Sequence, residues 1–498
     1  MTVLLRCAVI GVITLAVSGC VTRDNTATLA VSLPDRWSNG PTGSPSRIPA
    51  HHATWWRGFR DPEIDRLVLA ALAANPSLEQ ARERVVAARA LARAQGAQRL
   101  PIIDGSAGAT VQSRLAGPAD GLNAAGEDAG EGSRRTIGTF QAGFDARWEL
   151  DFFGRVRSTV LAAEYAALAA SEEMQDARFT LVAEVVRTYL ELRGAQARRS
   201  VIVREIAARR GLLDLVRVQQ TAGSSGEFDV QRARSTYEAA RAREPAAGLA
   251  IRVALQRLAT LVGTARPNER LLSRSRGVGN IASMLGPVPA SILRWRADIR
   301  RAELIVAQRA AESDVAYAEL FPRFALAGTI DLAGNLIGRP LPGTLLTFTG
   351  GPGVSVPLLD WGLRVHVLRA REAQWREAIA AYRGSVLRAV EDVEIALATI
   401  RASRSRLDRQ RTAVGAAGRA LELADRQYRG GLVGLTERLQ AETDLRQAEL
   451  DLADATESSG VAAVALFKAF GTPPGLGGLP AAPVQVAIRP TAPAGSTP

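Results

Sequence analysis

Few residues of this chain are of a type and spacing that could do chemistry. The two cysteines, Cys7 and Cys20, both stand at the extreme N-terminus, and the three histidines, His51, His52 and His366, cannot supply a His-rich metal cluster. There is no metal-ligand spacing, no phosphate-cradling glycine loop after a strand, and no nucleophile with a histidine partner. Gly351-Pro352-Gly353 lies within a strand pattern. No enzyme, metal or cofactor is indicated, apart from a covalent lipid considered next. What remains is electrostatic. Asp229 and Glu437 each follow a glycine-containing turn, Thr221–Gly226 and Arg429–Gly434.

Cys20 has its own context. Arg6 precedes the apolar stretch Ala8 to Val17, which ends Leu15-Ala16-Val17-Ser18-Gly19-Cys20. The stretch has the length of a signal-peptide core and is too short to cross a bilayer as a helix. Small residues directly before a cysteine resemble a bacterial lipobox, in which the thiol is acylated and Cys20 becomes the mature first residue. A plain secretory signal cleaved near Gly19 is the alternative. Each buried acyl methylene adds about 0.8 kcal/mol of membrane affinity. Val21 follows, where Asp often means inner-membrane retention, so its absence favours the outer membrane.

These residues must be positioned by something long and repeated. Phe153-Gly154-Arg155 ends a strand pattern and opens a helical one, and Trp361-Gly362-Leu363 does the same 208 residues later. At that offset Gly223 falls on Gly431 and Asp229 on Glu437, which indicates an internal duplication. Each half reads as helix, strand pair, very long helix and return helix. The long helices are expected near 154–222 and 362–430, rods of roughly 100 Å. In the second, Val386, Val390, Val393, Leu397 and Ile400 are spaced 4, 3, 4, 3, and Ile400, Leu407, Val414, Leu421 and Tyr428 recur every seven, an apolar seam that must meet other helices. In the first, Val182, Val185, Val186, Tyr189 and Leu190 line one face. Shorter helices near 61–99 and 227–263, and near 289–320 and 434–470, have the combined length to stack beside the long ones.

The strand patterns alternate. Phe140, Ala142, Phe144, Ala146 and Trp148 point one way and Gln141, Gly143, Asp145, Arg147 and Glu149 the other; Phe324 to Leu332 behaves likewise. One apolar and one polar face is the pattern of an outer-membrane barrel, and also of a half-buried soluble strand. Four strands cannot close a barrel in lipid, where an open edge is forbidden, so a spanning chain must oligomerise. Composition does not choose between two copies and three. After the first twenty residues no run of 18 or more apolar residues could span as a helix. The net charge of +12 invites a nucleic-acid reading, but the arginines are spread among acids, Lys468 is the sole lysine, and an export signal contradicts that class.

The chain resembles the TolC and NodT type of outer-membrane efflux channel, in its lipoprotein branch, from about Trp55 to Gly471. The resemblance is carried by Phe59-Arg60-Asp61-Pro62-Glu63-Ile64-Asp65, Ala74-Asn75-Pro76-Ser77-Leu78, Trp148-Glu149-Leu150-Asp151-Phe152-Phe153-Gly154-Arg155-Val156, Ala297-Asp298-Ile299-Arg300-Arg301-Ala302-Glu303 and Gly353-Val354-Ser355-Val356-Pro357-Leu358-Leu359-Asp360. It implies a mainly helical fold with a β-barrel portion. Long antiparallel hairpins would form a periplasmic tunnel, and four strands per chain would contribute to a twelve-stranded barrel in a homotrimer. It implies partners too: a periplasmic adaptor and an inner-membrane pump of the RND type. Ala297 departs from the proline usual there, and the linker is shorter and more basic than usual.

On this reading residues 1–19 are the signal peptide, 20–58 a lipid-anchored segment, 59–263 the first repeat with its hairpin about 102–150, 264–288 an equatorial linker, 289–471 the second repeat with its hairpin about 323–360, and 472–498 a Pro/Ala-rich flexible tail. The resemblance places Asp229 and Glu437 at a periplasmic constriction, six carboxylates in a trimer, and adaptor contacts near Gly223 and Gly431. Each has a local alternative: an acid in a first helical turn stabilises the helix dipole, and a glycine there supplies a left-handed C-cap. Arg429 and Arg438 are placed to pair across the tip with an acid the sequence leaves unnamed. The expected function is a passive exit duct for small molecules; a polypeptide-secretion channel and a lipid-anchored coiled-coil scaffold are the rivals.

Overall fold

The computed structural model describes residues 37–40, 50–113, 136–273, 290–338 and 341–471. The signal segment, Cys20, most of the linker, the loop of the first hairpin and the tail lie outside the described residues.

The first repeat opens with α1 (Pro62–Ala74) and α2 (Pro76–Ala97), where the sequence pattern predicts one helix near 61–99. The break has a local cause. Pro76 has no N–H to donate into a continuing helix and disfavours helical geometry at Asn75, which sits at φ −72°, ψ 122°. Asn75 serves both helices: its backbone N–H closes α1 onto Ala71, its Oδ1 accepts from Leu78 N at 3.1 Å, and its Nδ2 donates to Leu261 O at 2.8 Å. Strands β1 (Ile102–Ser113) and β2 (Thr136–Leu150) follow, then the rod α3 (Arg155–Thr221) and its return α4 (Glu227–Val262). The second repeat is α5 (Ala297–Ala318), β3 (Arg323–Ile337), β4 (Leu345–Ser355), the rod α6 (Leu363–Arg429) and its return α7 (Leu435–Phe470).

The duplication holds residue by residue from the rods onward. Both rods are 67 residues and both return helices 36, each pair offset by 208. Gly154 and Gly362, directly before the rods, take φ +78° and +84°, which lets each strand turn sharply into its helix. Ala297 fills the first position of α5, where Arg296 beside it binds Asp298 and Asp392.

The four strands form one antiparallel sheet in the order β1-β2-β3-β4, with the two repeats joined through β2 and β3. Register carries the alternation across every strand. Gly105, Phe144, Ile330 and Phe348 form one cross-strand row, and the next row holds Asp104, Asp145, Thr329 and Thr349. One face of the sheet is therefore mainly apolar and the other mainly polar, with Ser113 and Thr136 on the first and Ile102 and Leu345 on the second. Both outer strands have a free edge.

The main core sits where the short helices meet the rods. Trp55 stacks on Phe467 at 5.1 Å, and Trp56, Phe59, Tyr189 and Phe470 are buried with them. One described helix, α4, is long and apolar enough to cross a membrane by length and composition; its Ile251, Ala254, Leu255 and Leu258 are buried in this core, whereas Leu249 and Val253 are exposed. α6 buries Val386, Val393, Leu397, Ile400 and Leu407, while Val390, Val414, Leu421 and Tyr428 are half-buried, so the heptad seam is only partly covered within one chain.

Candidate functional site at the hairpin tips

The rods end in two superimposable turns. At the first, Gly223 takes φ +72°, its N–H bonds Gln220 O at 2.9 Å, and Ser224 N bonds Gln219 O at 2.9 Å. At the second, Gly431 takes φ +71°, its N–H bonds Tyr428 O at 3.0 Å, and Leu432 N bonds Gln427 O at 2.9 Å. Each is a Schellman motif that satisfies the last carbonyls of a rod. A Cβ at either glycine would meet nothing within 4 Å, so backbone geometry alone calls for glycine.

Asp229 and Glu437 are the third residues of α4 and α7, at the same end of the molecule. Asp229 is half-buried and accepts from Ser225 Oγ at 2.9 Å. Glu437 is exposed and lines an open groove of about 710 Å³ between α6 and α7, floored by Ala416, Ala417 and Ala420. Arg232 of α4 donates to Thr436 Oγ1 of α7 at 2.8 Å, which sets the two helix starts side by side. Both acids stand where a helix dipole favours negative charge.

Arg429 and Arg438 do pair, and the acid they share is Asp425. Arg429 Nη2 lies 2.8 Å from Asp425 Oδ2, and Arg438 Nε donates to Oδ1 at 2.9 Å. The contact closes the α6–α7 turn within one chain. A second link joins the repeats: Tyr428 Oη donates to Gln219 Oε1 at 3.0 Å.

Further charged residues hold the tip and the rods behind it. Glu227 accepts from Gln220 and Gln231, each at 2.6 Å, and those bonds hold its carboxyl below the ordinary range. Glu205 is only 1% exposed. It accepts from Arg209 at 2.9 Å and from Arg243 of α4, while Arg209 also reaches Thr443 of α7 at 3.3 Å. A buried carboxylate is tolerable only with such paired partners. Glu205–Arg209 and Glu227–Gln231 are i,i+4 pairs that the sequence displays, whereas the contacts of Arg243 with Glu205 and of Arg209 with Thr443 join different helices, which no local pattern announces. Among the described residues no group of three or more His, Cys, Asp or Glu is placed to hold a metal.

At the opposite end, the polar face of the sheet carries Asp104, Asp145, Asp331 and Arg147. Asp331 fits because its cross-strand partner is Gly143: a Cβ there would lie 2.4 Å from Asp331 Oδ1. The apolar face is open, with Phe348 74% and Leu346 70% exposed.

The outer membrane efflux protein family model matches residues 67–264 and 288–472. Nodulation protein T of Rhizobium leguminosarum bv. trifolii is 28% identical over 89% of this chain and 92% of its own. Outer membrane protein OprJ of Pseudomonas aeruginosa is 30% identical over 84% of this chain and 85% of its own. Among solved structures, the open state of the MtrE outer membrane channel of Neisseria gonorrhoeae superposes with a TM-score of 0.74 at 25% identity, covering 89% of this chain and 96% of that one. With its helical rods, four-stranded sheet and duplicated hairpins, the chain belongs to the outer membrane efflux protein family.

Proposed function

We propose that the protein is the outer-membrane exit duct of a tripartite efflux pump, passing small molecules passively across the periplasm and the outer membrane. The observation that carries this is the sheet: a continuous apolar face left open, on strands whose outer edges are unpaired, at one end of helical rods roughly 100 Å long. An exposed apolar face of that extent suits lipid, not water. Free edges in lipid require closure by further copies, and three chains give the twelve strands the resemblance implies. A soluble scaffold would have no use for such a face.

Cys20, acylated, holds the mature chain to the outer membrane, with the helical part in the periplasm. Asp229 and Glu437 line the periplasmic constriction as a ring of six carboxylates that favours cations at a narrow point. The partners are a periplasmic adaptor, meeting the tips near Gly223 and Gly431, and an inner-membrane pump of the RND type. Electron microscopy of the detergent-purified protein tests the reading. A threefold hollow particle with a helical tube supports it, and a monomeric particle without a lumen overturns it.

A further inference from the structure

Position by position, the two repeats are covered unequally. α2 and α5 are both 22 residues long and offset by 221, while the rods are offset by 208. The sheet obeys both offsets: applied to the pair Gly105–Phe144 they give Leu326–Pro352, which is a pair of the second hairpin. α5 lies between the two rods and buries nine of its residues, whereas α2 lies along α3 and buries only Leu78, Ala81 and Val85. Val86 of α2 is exposed where its mate in α5, Ala307, is buried. Phe153, before the first rod, stacks at 4.7 Å on Phe321, just beyond the end of α5. Its mate Trp361 is 88% exposed and takes φ +53°, a conformation costly for a bulky side chain. The mate of Phe321 is Leu100, 66% exposed. β2 runs to Leu150, opposite Phe324, but β4 ends at Ser355, three residues short of the matching Leu358. Phe153, Phe321, Leu150 and Phe324 belong to the seam where the first repeat meets the second. Their mates stand open on the outer flanks of the chain.

We propose that a second copy of this chain reproduces that seam on the outer flank: its β1 lies antiparallel to β4 in the register of β3 with β2, and its Leu100 receives Trp361 as Phe321 receives Phe153. The inference rests on the reading of the chain as a duct closed by further copies. Carrying the β2–β3 pairs over by the two offsets places Val354 opposite Ala107 of the next copy, Gly353 opposite its Gly108 and Leu358 opposite its Ile103. Apolar residues then face apolar ones across the new seam, and a slip of one residue would turn them to the wrong face. The register also accounts for Gly351, where a Cβ would meet nothing within 4 Å in this chain. The mate of Gly351 is Gly143, whose missing side chain leaves room for Asp331. Gly351 leaves the same room for Thr110 of the next copy. Repeated around a ring, this seam removes the free edges of β1 and β4.

Disulfide trapping of the full-length chain in outer-membrane vesicles tests this. Val354→Cys combined with Ala107→Cys is expected to give covalent species of two and three chains on non-reducing gels, because directly opposed residues lie about 4.5–5.5 Å apart. Ala146→Cys with Gly328→Cys, the matching pair inside the chain, should close without a gain in mass. Val354→Cys with Gly105→Cys or with Ala109→Cys represents a slip of two residues either way, roughly 7–8 Å apart in the proposed register. Those pairs should stay single-chain, as should each single substitution. Trp361→Ala should dissociate in SDS at a lower temperature than the native assembly, and Trp361→Phe should restore much of the loss. Linked chains from a slipped pair in place of the Ala107→Cys pair overturn the register. An unchanged dissociation temperature for Trp361→Ala overturns the contact with Leu100. If no pair links while electron microscopy shows a threefold hollow particle, the seam is refuted and the duct stands. If no pair links and the particle is monomeric, the duct reading fails with it.

Discussion

Arg438 and Arg429 bind the two oxygens of one carboxylate, Asp425, at 2.9 and 2.8 Å, so the turn between the second rod and its return helix is clasped from both sides. Arg438 and Asp425 are 18% and 26% exposed, which shields this pair from solvent more than an ordinary surface ion pair. Asp425→Ala is expected to loosen this tip by about 1 kcal/mol. Faster amide exchange over residues 425–440 and more frequent open events in planar bilayers would be the signs. Identical exchange and conductance would remove the clasp from the tip's mechanics.

Asp229→Asn combined with Glu437→Gln is expected to weaken cation preference while the trimer stays assembled. The helix-start contribution lost with each charge is only about 0.3–1 kcal/mol. The reversal potential under a salt gradient reads the selectivity. An unchanged value would leave the two acids as helix caps alone.

Gly431 separates backbone need from partner contact. Its left-handed geometry costs an ordinary residue roughly 1–2 kcal/mol, and asparagine tolerates it best. Gly431→Asn should therefore assemble nearly as well as the native chain, and Gly431→Val worse. Adaptor binding by Gly431→Asn, measured by pull-down, should fall if the open space beside the glycine receives the adaptor. Undiminished binding would confine Gly431 to its capping role.

Gly143 guards the seam between repeats. A methyl group there would lie 2.4 Å from Asp331 Oδ1 and 2.5 Å from Ile330 O, so Gly143→Ala must push β2 and β3 apart. A cost of about 1–3 kcal/mol is expected. It should appear as loss of heat-modifiable migration, whereas Gly108→Ala, with open space at its Cβ, should migrate normally.

Glu457 supplies a pH test. Burial raises its pKa above the ordinary 4.5, with Arg198, at 2.6 Å, pulling it back and the charges of Glu191 and Asp454 adding to the rise. The folded protein thus holds this proton more tightly than the unfolded chain. Its contribution to stability is full below the unfolded value and is lost as pH rises through the folded one. Glu457→Gln should be more stable than the native protein at neutral pH, since Arg198 keeps Asp454 at 2.8 Å. It should also show a flatter profile of thermal unfolding between pH 4.5 and neutrality. A parallel profile would contradict the assignment.

Local rules made much of this protein legible from its residues alone. The 208-residue offset, the left-handed caps at Gly223 and Gly431, and the two-residue alternation of the strands depend on neighbours in sequence, and all appear where the pattern puts them, while the left-handed geometry of Gly154 and Gly362 emerges from the structure. Pro76 was an equally local signal for the break at Asn75, obscured because helical periodicity runs on either side of it. What needed the tertiary structure was the choice of partner. Asp425 meets Arg438 only because α7 folds back along α6, and Glu205 meets Arg243 only because α4 lies beside α3. Asp331 faces Gly143 through one particular strand register, and Glu394 receives residues 38 and 39 from more than 350 positions away. Side-chain pairing across helices depends on how rods are turned about their axes and slid along one another, and periodicity within a single helix carries neither quantity.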